Sequence, residues 1–127
     1  MTGFPESVRT ILKVRASNCR GFGTAGPVCE VMALCQGAHA TEAHHRRNRG
    51  MGGSGRSDTN LAANGLMVCS ADHRWITEHP ERARELGWLV PQHKTPSEVP
   101  VMYRGKWALL SDSGGVVFIP APDRKPA

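Results

Sequence analysis

AHHRRNRGMGG at residues 43–53 and NGLMVCSADHRW at residues 64–75 are the two stretches from which the fold of this chain can be argued. The first places two adjacent histidines before a basic, glycine-rich loop. The second begins with an asparagine, continues with an apolar run and contains a further histidine. The segments on either side of the loop have strand length, and helix-start signals follow the second segment. We therefore expect strand, long loop, strand and helix.

Local signals give the bounds of this central unit. Residues 40–46 form a strand that delivers the histidines at its end, and residues 65–69 form the second strand. Ser70 is the expected N-cap of a helix that starts near Ala71. If the two strands pair, the helix packs across the hairpin. Four polar residues then lie near one another: His44, His45, Asn64 and His73.

The flanking segments predict further small elements. Residues 6–16 have helical apolar spacing, and Pro80 suits the first position of a short helix that Gly87 ends. Three apolar runs separated by turn residues predict a C-terminal β-meander: VPVMY, WALLS and VVFI. The expected fold class is α+β, with an N-terminal helix and a short C-terminal β-meander around the central unit.

The composition indicates a small, loop-rich domain with a basic surface. Of 127 residues, 39% are hydrophobic and 6% aromatic, and there are 14 glycines and 9 prolines. A domain of this kind has a thin core and usually needs a metal ion or disulfides for stability. The net charge of +5 attracts polyanions. Four arginines near the histidine pair are expected to bind DNA, the alternative being an ordinary solvated basic loop: Arg46, Arg47, Arg49 and Arg56.

Neither a membrane span nor a secretory leader is expected. The chain has no run of about 18 apolar residues, and residues 1–15 lack the apolar run of a signal peptide. We therefore expect a cytoplasmic protein with no membrane partner. In that compartment the four cysteines are reduced thiols or metal ligands, and two disulfides are the alternative.

The histidines suit phosphodiester hydrolysis. That reaction needs a base to deprotonate water, a cation to neutralise the developing charge, and positive groups to hold the backbone. Histidine titrates near neutral pH and is a natural general base, and other histidines can hold a divalent ion. Because adjacent strand residues point to opposite faces, His44 and His45 can share one site only at a strand end or bend. The loop that follows them makes such an end reasonable.

These motifs resemble the HNH nuclease family, whose fold is the ββα-metal core, and are most similar to small phage and prophage-type members. The resemblance covers roughly residues 28–90. It implies that His45 is the general base, that His44 and His73 bind the catalytic divalent ion, and that Asn64 braces the hairpin loop or approaches the metal. Asn60 is the competing asparagine. The implied reaction is hydrolysis of DNA with modest sequence preference, leaving 5′-phosphate ends.

One departure from the family pattern concerns the catalytic ion. Many members carry another histidine one helical turn after the last motif histidine, where this chain has Thr77. His79 could contribute only if the helix breaks before Pro80. With fewer protein ligands the ion could be Mg²⁺ or Mn²⁺, although imidazoles also suit Zn²⁺ or Ni²⁺.

The cysteines resemble the structural zinc knuckle of many family members, with altered spacing. The first pair, Cys29 and Cys35, has five residues between its members instead of two, and Asp72 occupies the position of the fourth cysteine. A structural Zn²⁺ would then be held by Cys29, Cys35, Cys69 and Asp72, with Cys19 or His39 as alternative fourth ligands. The plain alternative is that the cysteines are small buried hydrophobic residues.

The resemblance also sets the expected domains and partners. Residues 1–97 form the HNH nuclease domain with its motif core at 28–90, residues 98–120 are a C-terminal β-meander extension, and residues 121–127 are a disordered tail. The expected partner is DNA, and phage packaging proteins in a bacterial host are an extrapolation from the resemblance. Two other functions stay open. One is a non-catalytic, zinc-stabilised nucleic-acid-binding module, and the other is an interaction protein that uses the meander.

Overall fold

A computed structural model describes residues 3–17, 26–48 and 58–122 of the chain. Within these ranges the fold is mixed α+β, with three α-helices and two small antiparallel sheets, as the sequence predicts. In chain order the elements are α1 (Glu6–Ser17), β1 (Glu42–His45), β2 (Gly65–Val68), α2 (Ser70–Glu78), α3 (Pro80–Glu85), β3 (Val101–Tyr103), β4 (Lys106–Leu110) and β5 (Val116–Phe118).

The first sheet is the hairpin of β1 and β2. Glu42 lies opposite Val68, and His45 lies opposite Gly65. Because strand side chains alternate between faces, Glu42 and His44 share one face, which His73 of α2 contacts. His45 lies on the other face, where its ring stacks on Phe4 before α1. The two adjacent histidines are thus divided between the two sides of the strand.

The helices begin and end close to the predicted positions. Cys69 is the N-cap of α2 and Ser70 its first residue, one position earlier than expected. The backbone breaks at His79, and Pro80 starts α3 as predicted. Gly87 follows this helix with φ +77°, and a Cβ atom there would lie 2.0 Å from the carbonyl oxygen of Pro100. Only glycine satisfies both constraints at this turn.

The second sheet, with strand order β3-β4-β5, confirms the predicted meander. It shares one hydrophobic core with the hairpin, because Val101, Tyr103 and Leu110 pack in the same cluster as Leu66 and Ile76. A smaller cluster joins α1 to the hairpin through buried apolar residues: Phe4, Leu12, Ala16, Ala62 and Met67.

A buried polar network connects α1, the segment before β1 and the second sheet. The Glu30 carboxylate, which is fully buried, accepts hydrogen bonds from Arg15 Nε at 2.7 Å and from the Tyr103 hydroxyl at 2.6 Å. The main-chain N–H of Met67 in β2 also donates to Glu30, at 2.8 Å. The buried negative charge of Glu30 is tolerated because these three groups all donate hydrogen bonds to its carboxylate oxygens.

None of the helices in the described ranges has the length and apolar content that crossing a bilayer requires. Arg49, Arg56, Cys19 and residues 123–127 of the expected tail lie outside the described residues.

Candidate metal centres and histidine site

Three thiols and one carboxylate converge beside the start of α2. The ligand atoms of Cys29, Cys35, Cys69 and Asp72 all lie within 4.8 Å of one another, so they are positioned to hold a metal ion. Cys29 and Cys35 come from the segment before β1. Cys69 and Asp72 come from the N-cap and first turn of α2, in the arrangement Cys-x-x-Asp. His39, an alternative ligand from the sequence, is not part of this group.

Asp72 is the centre of the hydrogen bonds in this cluster. Its Oδ2 atom accepts from Cys29 Sγ at 3.1 Å, from Cys35 Sγ at 3.3 Å and from the main-chain N–H of Ala33 at 3.0 Å. Its Oδ1 atom accepts from the N–H of Leu34 at 2.9 Å. Asp72 is therefore the residue that links Cys29, Cys35 and the main chain between them to the start of α2.

The protonation of this cluster follows from its burial. Desolvation raises the pKa of Cys29 and of Cys69, so both stay thiols in the metal-free protein. Burial also acts to raise the pKa of Asp72, but the donors around its carboxylate outweigh that effect and leave the pKa below its ordinary value. A bound cation would displace the thiol protons, as thiolate ligation requires. The donor set fits a metal that accepts sulfur ligands, such as zinc.

His44 is the most buried of the three motif histidines. Its Nε2 atom lies 2.8 Å from the carbonyl oxygen of Trp88, and a carbonyl can only accept, so Nε2 carries the proton and Nδ1 the lone pair. Burial lowers the pKa of His44 to about 4, and the nearby charges of His73 and Arg46 act in the same direction. The ring is therefore neutral at pH 7, which is the form that binds a metal ion.

His73 lies beside His44 and is oriented by a carboxylate. The two ring centroids are 5.1 Å apart. His73 Nδ1 donates to Glu42 Oε1 at 2.6 Å, so Nε2 is the ring nitrogen that carries the lone pair. A shallow cleft of about 270 Å³ opens here, and its lining residues are Glu42, Ser70, His73, Arg74 and Thr77.

His45 is half-buried on the opposite side of β1. Its ring stacks on Phe4 with 3.9 Å between centroids and 5° between planes, and its Nε2 atom lies 2.9 Å from Asn60 Oδ1. His45 is the last residue of β1, and its ring lies on the strand face opposite the one that His44 shares with Glu42 and His73.

Asn64 braces the loop between the two strands. It is fully buried, and its Oδ1 atom accepts the main-chain N–H of Arg47 at 2.7 Å. Its Nδ2 group donates to the carbonyl oxygens of Arg47 at 3.1 Å and Thr59 at 2.8 Å. These contacts match the loop-bracing role that the resemblance implies for this residue.

The placement of His79 does not match a ligand role in the histidine site. The helix does break before Pro80, but the exposed ring of His79 stacks on Trp75 with 4.5 Å between centroids. Its Nδ1 atom pairs with the carbonyl oxygen of Trp75 at 3.0 Å. The Thr77 hydroxyl donates a hydrogen bond to the carbonyl oxygen of His73 within α2.

Arg46 and Arg47 were expected to bind DNA, and this prediction is wrong because both are interior residues. Arg46 is fully buried and donates to four carbonyl oxygens, those of Ala63, Gly87, Pro96 and Val99, at 2.8–3.0 Å. Arg47 is 1% exposed and pairs with Asp58 and the carbonyl of Lys94. Loop carbonyls and one carboxylate accept hydrogen bonds from both guanidinium groups, and both side chains are buried, so neither is presented to a phosphate.

Glu42 was not among the residues predicted from the sequence, and Asn60 was predicted only as the alternative to Asn64. The signal for Glu42 was present, since it lies two positions before His44 and therefore on the same strand face. Asn60 carried no such signal, because its contact with His45 depends on the path of the loop.

Comparisons with known protein families, with curated proteins and with solved structures give no match.

Proposed function

We propose that this chain is a metal-dependent endonuclease of the HNH type that hydrolyses DNA phosphodiester bonds. One observation carries the proposal: each motif histidine gives one ring nitrogen to an oxygen acceptor. The acceptors are Trp88 O for His44, Asn60 Oδ1 for His45 and Glu42 Oε1 for His73. A hydrogen bond from one ring nitrogen fixes the tautomer, so the second nitrogen of the same ring carries the lone pair. A general base and a metal ligand each need that lone pair.

His45 is the general base of the proposed reaction. Its Nδ1 nitrogen takes a proton from water, the water oxygen forms a bond to phosphorus, and the bond from phosphorus to the 3′ oxygen breaks. The products are a 3′ hydroxyl, once that oxygen is protonated, and a 5′ phosphate. A histidine suits this step because its proton affinity is near that needed at neutral pH.

His44 and His73 are the proposed ligands of the catalytic divalent ion, and the closeness of their rings supports that proposal. Their centroids are 5.1 Å apart, and both rings are oriented by hydrogen bonds on the nitrogen not used for the metal. Such an ion, when bound, supplies Lewis-acid stabilisation of the charge on the phosphate and the leaving oxygen. Mg²⁺, Mn²⁺, Ni²⁺ and Zn²⁺ are all candidates for a site with so few protein ligands.

DNA contacts are assigned to cations that remain accessible. Arg74 is exposed and lines the cleft beside His73, so it can hold a phosphate next to the proposed ion. Arg49 and Arg56 stay proposed contacts from the sequence. A structural Zn²⁺ at the thiol cluster would keep Cys69 and Asp72, and therefore the start of α2, in register with the hairpin.

A plasmid cleavage assay tests the proposed function. Supercoiled DNA is incubated with the protein and Mg²⁺, Mn²⁺, Ni²⁺ or Zn²⁺, with EDTA as the metal-free arm. We expect metal-dependent relaxation that His45→Ala abolishes while DNA binding, measured by gel shift, is retained. Lys13→Ala, an exposed cation on α1, is the control expected to cleave normally.

The second candidate function is a zinc-stabilised nucleic-acid-binding module without catalysis. It is favoured by the thiol cluster, which has four converging ligand atoms, whereas among the described residues only two imidazole rings, those of His44 and His73, lie together. If the protein binds DNA but does not cleave it with any of the four metal ions, the binding module is supported and the endonuclease is contradicted.

A further inference from the structure

We propose that the outer edge of β5 is an interaction surface for a second copy of this chain, so that two sheets pair through their β5 strands. β5 is the last strand of its sheet, and within residues 3–17, 26–48 and 58–122 no other strand pairs with its outer side. An unpaired strand edge can pair with another extended strand. The association of two chains goes beyond the proposed hydrolysis and is measured without it.

The register of β5 shows which of its main-chain groups face outward. The N–H of Ile119, just after the strand, donates to the carbonyl oxygen of Trp107 at 3.0 Å. Hydrogen-bonded positions alternate along an antiparallel pair, so Val117 also directs its N–H and C=O groups towards β4. Val116 and Phe118 therefore direct theirs away from the sheet, along its outer edge.

Two β5 strands related by a two-fold axis satisfy each other's outward groups. In an antiparallel pair centred on Val117, Val116 of each copy lies opposite Phe118 of the other. Opposing residues of this kind exchange main-chain hydrogen bonds, since both direct their N–H and C=O groups across the pair. The interface is self-complementary, because both copies contribute the same residues, and the two sheets become one continuous sheet.

Exposed apolar side chains are concentrated at this edge. Among the described residues the exposed large hydrophobic side chains are those of Val14, Leu34, Val117 and Phe118. Val117 and Phe118 belong to β5 itself, and Val14 of α1 lines a groove of about 520 Å³ together with Phe118. In the two-fold arrangement Phe118 of the second copy lies beside Val116, at the same groove. Pairing therefore covers apolar surface that a single chain leaves in water.

The charges at the two ends of the paired strands are complementary. Lys106 begins β4 beside the end of β5, and its Nζ atom lies 5.8 Å from the centroid of the Phe118 ring. Asp112 lies in the turn that precedes β5. Because the two strands run in opposite directions, the Lys106 end of each copy meets the Asp112 end of the other. Both side chains are exposed, so opposite charges face each other at both ends of the interface.

Sedimentation equilibrium of the full chain tests the pairing. The wild type should approach twice the chain mass of 13.8 kDa as its concentration rises to about 0.5 mM. Val117→Lys and Val117→Asp each place two like charges opposite one another at the axis, so each variant alone should stay a monomer. An equimolar mixture of the two variants should recover the dimer, because opposite charges then meet. Since Val117 is 62% exposed, thermal unfolding of both variants should match the wild type.

A matched control separates the β5 edge from a general effect of charge. Ser7→Lys adds the same charge at an exposed position of α1 outside the groove and should dimerise like the wild type. A wild type that stays monomeric throughout overturns the proposal, and so does a dimer that Val117→Lys leaves intact. A monomer that instead binds a synthetic peptide of residues 115–119 offers its edge to a separate strand, and self-pairing is overturned in that case as well.

Discussion

His44 donates to a main-chain carbonyl from a position that is 6% exposed, and this burial has a consequence for stability. Its pKa is about 4 in the folded protein against 6.5 for an ordinary histidine. Between these values the unfolded chain binds more protons than the folded one. The free energy of unfolding should therefore fall as the pH drops from about 6.5 to about 4, by on the order of 3 kcal/mol in total.

Urea unfolding at several pH values checks this prediction for His44. The wild type and His44→Gln are compared because both carry the same cysteines, so that any loss of a bound metal in acid would affect the two proteins equally. The variant should lose less stability over that pH window. An equal loss in both proteins would contradict the low pKa of His44.

Arg46 shows how much a buried guanidinium can support. Its nitrogens reach four carbonyl oxygens from three segments of the chain, and burial lowers its pKa to about 9, so it remains charged at neutral pH. Arg46→Lys should cost about 3 kcal/mol or more, because an ammonium has fewer donors and leaves buried carbonyls unsatisfied. Chemical denaturation measures the loss, with the exposed Arg9→Lys as the control expected to change little.

At the scale of elements, the junction between α3 and β3 depends on a single glycine. Gly87 combines a positive φ with a close approach to Pro100 and Val101. Gly87→Ala should therefore destabilise the protein by about 2 kcal/mol or more.

Gly105→Ala separates the two causes at Gly87. Gly105 also has a positive φ, of +86°, but a Cβ atom there meets nothing within 4 Å. Its replacement should cost only the backbone strain. If thermal unfolding shows equal losses for the two variants, the close approach to Pro100 contributes nothing.

The elements also show what local sequence signals achieve. The helix at residues 6–16, the start of α3 at Pro80 and the three meander strands were all predictable, since each depends on periodicity or on proline and glycine within a few residues. The start of α2 differed by one residue, because Cys69 rather than Ser70 is the N-cap.

At the scale of the whole molecule, the thiol cluster connects the segment before β1 to α2, and metal binding should stabilise the entire fold. We expect about one equivalent of zinc in the purified protein. A strong chelator should lower the unfolding temperature, and added Zn²⁺ should restore it.

Two substitutions decide which residue is the fourth ligand. Asp72→Ala should lower the zinc content and the unfolding temperature, whereas Cys19→Ser should change neither. Elemental analysis measures the content. Retention of zinc in Asp72→Ala together with its loss in Cys19→Ser would assign the site to the other ligand.

The sequence by itself determined the short-range features: the α+β elements and the strand-end position of His44 and His45. The family resemblance left the fourth ligand of the cysteines open, and the tertiary structure brings Asp72 to them. Only the tertiary structure decided that Arg46 and Arg47 are interior residues and that Glu42 and Asn60 orient histidines. The physical reason is that element formation depends on neighbours along the chain. Burial of a charge and the direction of a hydrogen bond depend on which distant carbonyls and carboxylates the fold brings within reach.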